Sequence, residues 1–315
     1  MVQKVIFDTD PGIDDALALL YLHACPALEL TAITTTLGNA SIENCTANAL
    51  FLCEQFGIAA PVYRGVEDAI DGSVPDTYPD FVHGSNGLGG IPIAITHREP
   101  EAEDATDCLL HQTQKNPGEV RIIAVGRLTN IALALQQDKA FASRVQDIVC
   151  MGGSIEHKGN VSPFAEANMF GDPEAADLVF SSGIPLTMVG LDVTMQTTFS
   201  LAFLSSICAN FPSALRDLVL TTNQVYCEYH KTSMGWDASP VHDSSAVAFV
   251  DQPALFQTVR GSLSCVLEGE QRGRTVLTPD SAGPHQVCTA VDSETLQSRF
   301  GEVVKPFYRQ PDGSP

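Results

Sequence analysis

An open α/β fold is predicted: a mainly parallel central sheet flanked by helices, with a β-hairpin and a helical segment appended at the C-terminal end. Three observations carry this expectation. Short apolar runs alternate with amphipathic segments, the order expected of β-then-α units that build a parallel sheet. Of the 315 residues, 44% are apolar, enough for a sizeable core that needs no disulfide staples. From Thr258 onward, "TVRGSLSCVLEGE" and "RGRTVLTP" read as a hairpin rather than as another β-then-α unit.

The elements follow in order. "KVIFDTD" reads as a buried strand and "DDALALLYLHA" as a helix. "LELTAITTTL" is rich in β-formers, and "SIENCTANALFLCEQFG" is helical and stops at Gly57. "PVYRG" is a short strand. "EVRIIAVG", "LTNIALALQQD", "VQDIVCMGG", "DPEAADLVFSSG" and "PLTMVGLDVT" continue the alternation, and Ser200 to about Ser233 is helical. Asp68 to Pro100 and Gly153 to Ala165 are rich in loop-forming residues and predict long loops over the strand ends, where lids and binding loops occur. Residues 1–308 form one domain, and the chain beyond Phe307 predicts a frayed tail, 309–315. There is no internal repeat and no low-complexity tract.

The formal net charge is -21, which disfavours nucleic acid and anionic membrane surfaces and suits a neutral or cationic small molecule. The nine cysteines include no CxxC pair, and their number is odd. That pattern predicts buried free thiols and a cytoplasmic setting. No basic stretch precedes an apolar one at the start, and no apolar run is long enough to span a bilayer.

The chemistry concentrates in "VIFDTDPGIDDALALL". Asp8 and Asp10 end the first strand, Pro11-Gly12 turns the chain, and Asp14 and Asp15 open the helix. A helix dipole accommodates one or two carboxylates at its N-terminus but does not account for Asp8 and Asp10 converging on the same place. A divalent cation does, and all-oxygen ligands select calcium or magnesium over zinc. A second reading exists. An apolar strand ending in D-x-D resembles the nucleophile loop of haloacid-dehalogenase-type phosphatases, with Asp8 as nucleophile and Asp10 as acid/base. Two further carboxylates would repel a phosphate, which ranks it second.

"DTDPGIDDA" resembles the N-terminal signature of the inosine–uridine-preferring nucleoside hydrolases. "TTTLGN" (Thr34–Asn39), "VHGSNGLGG" (Val82–Gly90), "VGRLTNIALAL" (Val125–Leu135), "MGG" (Met151–Gly153), "GNVSPFAEANMFGDPEAA" (Gly159–Ala176) and "VHDSSAVAF" (Val241–Phe249) resemble family blocks in family order. The resemblance implies calcium-dependent hydrolysis of the N-glycosidic bond of ribonucleosides, giving ribose and free base, in a homo-oligomer (dimer or tetramer). It implies calcium ligation by Asp10, Asp15, Asp243 and the main-chain carbonyl of Val125, with Asp10 accepting the proton of a metal-held water. It implies that Asp14, Asn39, Asn160, Glu166 and Asn168 bind the sugar hydroxyls. The bland alternative for these is loop capping. Asp8 is expected to support the site without touching the ion.

Bond cleavage builds positive charge on the ribose, which nearby carboxylates stabilise, and the departing base needs a proton. His242, beside Asp243, is the expected general acid, on the premise of a pKa near neutrality. The resemblance implies that His83, on the "HGSNG" loop, approaches the base from the other side. Having both resembles the broad or pyrimidine-accepting branch. His23, His97, His111 and His157 read as surface or core residues. Tyr226, Tyr229, His230 and Trp236 are candidates for the base pocket, with Tyr226 and His230 on one helix face at i, i+4. The "GRLTN" block departs from the family pattern at Arg127, which reads as a surface or interface residue. Ala167 leaves the pocket roomier. A non-catalytic nucleoside or ribose binder is the third reading, and the presence of an acid beside the carboxylates speaks against it.

Overall fold

The computed structural model describes residues 2–94 and 96–308, so the predicted tail at 309–315 lies outside the described residues. Tyr308, at the end of the predicted domain, is buried, with its ring near those of Phe56 and Phe211. Eleven strands are described: β1 Gln3–Thr9, β2 Leu28–Thr35, β3 Val62–Tyr63, β4 Val120–Ala124, β5 Val145–Met151, β6 Leu186–Val189, β7 Thr198–Phe199, β8 Ser239–Pro240, β9 Phe256–Cys265, β10 Thr275–Pro279 and β11 His285–Val291. Nine form one sheet in the order β10-β9-β11-β6-β5-β4-β1-β2-β3, while β7 and β8 form a small antiparallel pair. Pairing is parallel from β3 through β11, and antiparallel between β11, β9 and β10. The predicted hairpin is β9–β10, and β11 joins it edge-on to the main sheet through β6.

Each parallel strand feeds both faces of the sheet. In β1, Val5 and Phe7 enter one apolar cluster and Ile6 the other. In β4, Ile123 faces the first and Ile122 and Ala124 the second. A period-2 strand covered by helices on both sides therefore needs a continuous apolar run, which is what "VIF" and "RIIAV" supply. The helix Ile13–Ala24 is itself almost wholly buried, hence the unbroken apolar run from Ala16 to Leu22. Two predicted spans are subdivided. The helical stretch from Ser200 is two helices, Leu201–Cys208 and Ser213–Met234, broken where Pro212 lacks the N–H a continuous helix requires. The long loop at 68–100 contains one four-residue helix, Asp80–His83. All nine cysteines are buried and free.

Strand order reverses at β1, since β2 and β3 lie on one side of it and β4 on the other. In open α/β sheets ligands bind outside the carboxyl ends of the strands at such a switch point. Asp8–Asp10 and Val125–Gly126 leave the sheet there.

An ion pair ties the helix Asp243–Asp251 to the C-terminal helix Ser293–Phe307. Asp251 ends the helix Asp243–Asp251, where the dipole disfavours a carboxylate. Arg299 offsets this with two hydrogen bonds, Nε to Oδ2 at 2.7 Å and Nη2 to Oδ1 at 3.1 Å, and the Tyr21 hydroxyl donates to Oδ2 at 2.9 Å. Burial, the largest influence, raises the carboxyl, yet the bonds from Arg299 and Tyr21 outweigh it and hold Asp251 below the usual carboxylate range. A folded value below the unfolded one contributes stability above about pH 4 that is lost as pH falls through the folded value. Asp251→Ala is expected to cost about 2–3 kcal/mol at pH 7, less than a fully buried pair because Arg299 still reaches water. Urea unfolding at pH 7 and pH 3 checks this: the gap between parent and variant narrows at pH 3, and an equal gap at both would remove the ion pair from the account.

Candidate active site

A cavity of about 590 Å³ opens over the switch point. Asp14 and Asp243 line it, and with the adjoining Asp15 they bring carboxylate oxygens within 4.8 Å of one another. Asp14 and Asp15 lie in the first turn of Ile13–Ala24, and Asp243 in the first turn of Asp243–Asp251. Two helix N-termini thus converge there. Each supplies about half a positive charge, roughly one unit between them against three carboxylates. The remainder calls for a cation or for protonation. Burial first and the neighbouring carboxylates second push Asp243 well above the usual carboxylate range, and burial pushes Asp14 up to about 6. The buried Asp14 Oδ1 has no hydrogen-bond partner among the described residues. Hard oxygen donors, surplus negative charge and an unpartnered carboxylate oxygen together fit a divalent cation.

Asp10 stands beside this triad, not inside it, and is not itself among the residues that line the cavity. Its Oδ2 accepts from the Asn39 backbone N–H at 2.8 Å. A Cβ on Gly38 would collide with that oxygen, and one on Gly126 would lie 2.8 Å from Oδ1, so both glycines are required by the close approach of the carboxylate. Burial, then the Asp15 charge, raise Asp10 well above the usual range. Asp15 is held by Thr9 Oγ1 (2.5 Å), Gly12 N–H (2.8 Å) and Asn39 Nδ2 (2.9 Å). Asn39, expected to reach sugar hydroxyls, directs its side-chain amide to Asp15 and to the Asp10 carbonyl at 3.2 Å, while still lining the cavity.

Asp8 is fully buried and does not line the cavity. Its Oδ1 accepts from Thr34 Oγ1 (2.5 Å) and Asn130 Nδ2 (2.8 Å), and burial raises its carboxyl to about 6. The phosphatase reading requires this carboxylate to attack substrate, and its position behind the sheet end removes it from reach. Val125 lines the cavity, and its carbonyl accepts from Asn168 Nδ2 at 2.7 Å. Glu166 caps the helix Ala167–Gly171: Oε1 accepts from Asn168 N–H (2.9 Å), and Oε2 from Gly153 N–H (2.8 Å) and Met169 N–H (3.2 Å). Asn160 Oδ1 accepts from Ala167 N–H at 2.9 Å. Asn160, Glu166 and Asn168 do share one wall of the cavity, as their spacing predicts, but each also has the loop-capping role of the bland reading.

His242 and His83 face the cavity from different elements. His242 precedes the helix Asp243–Asp251, and its Nδ1 is 2.8 Å from Thr194 Oγ1, which leaves Nε2 for the cavity side. Burial first, then His230 and His83, push it down to about 3. The expected near-neutral pKa is therefore not found: the imidazole is neutral at pH 7. His83 ends the helix Asp80–His83, and burial lowers it to about 4. Tyr226 and His230 share a face as predicted, with ring centroids 4.5 Å apart, and both line the cavity. The Tyr226 hydroxyl is 3.5 Å from Asp14 Oδ2, at the outer limit of a hydrogen bond. Tyr229 and the half-exposed Trp236 lie nearer the mouth, with the exposed Phe81, Val161 and Met234.

Sequence reasoning missed several lining residues. His157, read as surface or core, is one, and Lys158, Met151, Leu191 and Met195 are others. It also missed Thr194 and Asp192, whose partners are remote in sequence. Arg127, read as surface or interface, is largely enclosed and donates to the Gly171 carbonyl at 3.1 Å, close enough to Asp10 and Asp172 for their charges to act on it. Among the described residues no helix is long and apolar enough to cross a membrane.

Comparison with known proteins accords with this geometry. Uridine nucleosidase 1 of Arabidopsis thaliana is 40% identical over 276 residues, covering 87% of this chain and 82% of the relative. The pyrimidine-specific ribonucleoside hydrolase RihB of Shigella flexneri is 33% identical over 259 residues, 81% of this chain and 80% of the relative. The solved structure of a purine-preferring ribonucleoside hydrolase from Gardnerella vaginalis superposes with a TM-score of 0.93 at 32% identity, covering 97% of this chain and 99% of that one. The sequence model of the inosine-uridine preferring nucleoside hydrolases matches residues 5–298, and the chain belongs to that family of N-glycosyl hydrolases.

Proposed function

We propose that this protein is a calcium-dependent ribonucleoside hydrolase that accepts uridine and releases ribose and free base. The observation that carries the reading is the carboxylate triad Asp14, Asp15 and Asp243, of which Asp14 and Asp243 line a cavity whose other walls hold two neutral histidines. Asp15, Asp243, the Val125 carbonyl and Asp10 or Asp14 would hold the ion. Calcium bound there neutralises the surplus charge and adds modest Lewis acidity toward water and sugar hydroxyls.

The residues of the chain divide the remaining work. Asp10, kept in place by Asn39 N–H, accepts a proton from the attacking water. Asp14, Asn39, Asn160, Glu166 and Asn168 orient the sugar, and the surrounding carboxylates stabilise the positive charge that develops on it. His242 is neutral, so it serves as a donor only in the tautomer with the proton on Nε2. Thr194 Oγ1, 2.8 Å from Nδ1, is compatible with that tautomer, its hydroxyl then donating to the ring. Nε2–H then stabilises the negative charge that grows on the departing base. His83, Tyr226, Tyr229, His230 and Trp236 form the base side of the cavity. Uridine is favoured by the names of the curated relatives, and the 590 Å³ volume also admits a purine nucleoside. A single domain over residues 1–308, a cytoplasmic setting and a homo-oligomer complete the proposal.

A panel of uridine, cytidine, inosine and adenosine, with p-nitrophenyl phosphate as control, tests it with and without chelator. Uridine hydrolysis lost with chelator and restored by calcium, with no phosphatase activity, is expected. Full activity in chelator would remove the metal from the proposal. Binding of uridine without turnover would favour the non-catalytic reading.

A further inference from the structure

We propose that Asp192 is a positioning residue for the sugar-binding wall of the cavity. It does not line the cavity itself. Its carboxylate accepts three consecutive main-chain N–H groups: Ile155 on Oδ2 at 2.8 Å, and Glu156 and His157 on Oδ1, each at 2.8 Å. Successive amides turned toward one anion make a strong, charge-assisted clamp. What they clamp is the first part of the long loop after β5, whose following residues His157, Lys158, Gly159, Asn160 and Val161 all face the cavity.

The loop has few other anchors. At its start, Leu191 N–H donates to the Gly153 carbonyl at 2.9 Å, and Ser154 exchanges two hydrogen bonds with Thr275 Oγ1. At its far end Glu166 and Asn160 bond backbone N–H groups, as described above. Between these ends, residues 159–165 bond mainly to one another: Gly159 N–H to the Pro163 carbonyl, Val161 N–H to that of Ala165. Asp192 therefore fixes where the wall begins. The helix that carries it, Leu191–Thr194, is held on its other side by Thr194 against His242. One short helix thus sets the distance between the sugar wall and the base-side histidine. Misplacing a substrate-orienting group by about 1 Å costs up to about a hundredfold.

The inference rests on the sugar-binding role proposed for Asn160, and the test separates the two. The full-length, calcium-loaded protein is compared with Asp192→Ala, Asp192→Asn, Asn160→Ala and the Asp192→Ala/Asn160→Ala double variant. Uridine kinetics and amide hydrogen exchange are measured on each. Asp192→Ala is expected to raise KM about tenfold or more while kcat stays within about threefold, the pattern of lost uniform binding. Asp192→Asn, which keeps one acceptor oxygen, falls between. In the double variant the Asp192 effect on KM shrinks, because the group it positions is gone. Exchange at the amides of 155–157 speeds up in Asp192→Ala and stays near parent values elsewhere in the chain.

Unchanged exchange at 155–157 overturns the clamp. Faster exchange with an unchanged KM overturns its relevance to substrate, and so does an equal loss in kcat for both Asp192 variants with a lowered thermal midpoint. An Asn160→Ala variant with parental KM refutes the sugar role of Asn160, while the exchange and KM of the Asp192 variants still judge the clamp. A parent that turns over no nucleoside refutes the proposed function and this inference with it.

Discussion

Asp10→Ala is expected to lower uridine turnover by at least about 10⁴-fold, the upper end for loss of a general base. Of the neighbouring carboxylates, Asp15 is taken up by Thr9, Gly12 and Asn39, and Asp8 by Thr34 and Asn130. Gly38 and Gly126 close around the Asp10 carboxylate, so an alanine at position 10 leaves a gap of carboxylate size rather than room for a rearranged chain. The variant should nonetheless fold. Burial and the Asp15 charge oppose ionisation of Asp10, so the metal-free protein loses a repulsive group along with one hydrogen bond to Asn39. Its thermal midpoint without calcium should equal or exceed that of the metal-free parent, while calcium should raise it less than it raises the parent's. Stopped assays, bound-calcium analysis and paired melting curves check all three. Activity within tenfold of the parent would remove Asp10 from the chemistry.

His242→Ala is expected to cut kcat for uridine by about 10²–10⁴-fold and to leave nitrophenyl riboside turnover within about threefold of the parent. Nitrophenolate leaves readily and needs little help, whereas a nucleobase leaves poorly. Burial holds His242 down to about 3, so it acts as a neutral imidazole. Its expected contribution is an Nε2–H, in the tautomer whose Nδ1 accepts from the Thr194 hydroxyl. Bound calcium should be unchanged, since Asp243 is retained. Equal losses on both substrates would assign His242 a purely spatial role and leave His83 or Tyr226 to assist the leaving group.

What the sequence by itself determined was whatever depends on neighbours along the chain. The apolar run before Asp8, the Pro11-Gly12 turn and the helix-forming residues after it settle a strand, a turn and a helix, because hydrogen bonding and side-chain periodicity there are local. That was enough to place four carboxylates at a strand end and to infer a cation from their repulsion. The Tyr226–His230 face was legible for the same reason, since i, i+4 residues meet on any helix.

Only the tertiary structure decided which carboxylates converge. Asp243 meets Asp14 and Asp15 because two helices far apart in sequence begin at the same point over the sheet. Tertiary packing also decided what each polar side chain faces. Glu166 could have turned wholly to a ligand, but the backbone N–H groups of Gly153, Asn168 and Met169 must find acceptors and take its oxygens, while Asn39 donates its side-chain amide to Asp15 and to the Asp10 carbonyl. His157 joins the cavity because Asp192 pins the backbone beside it. The low pKa of His242 follows from enclosure among other side chains, which no local pattern encodes.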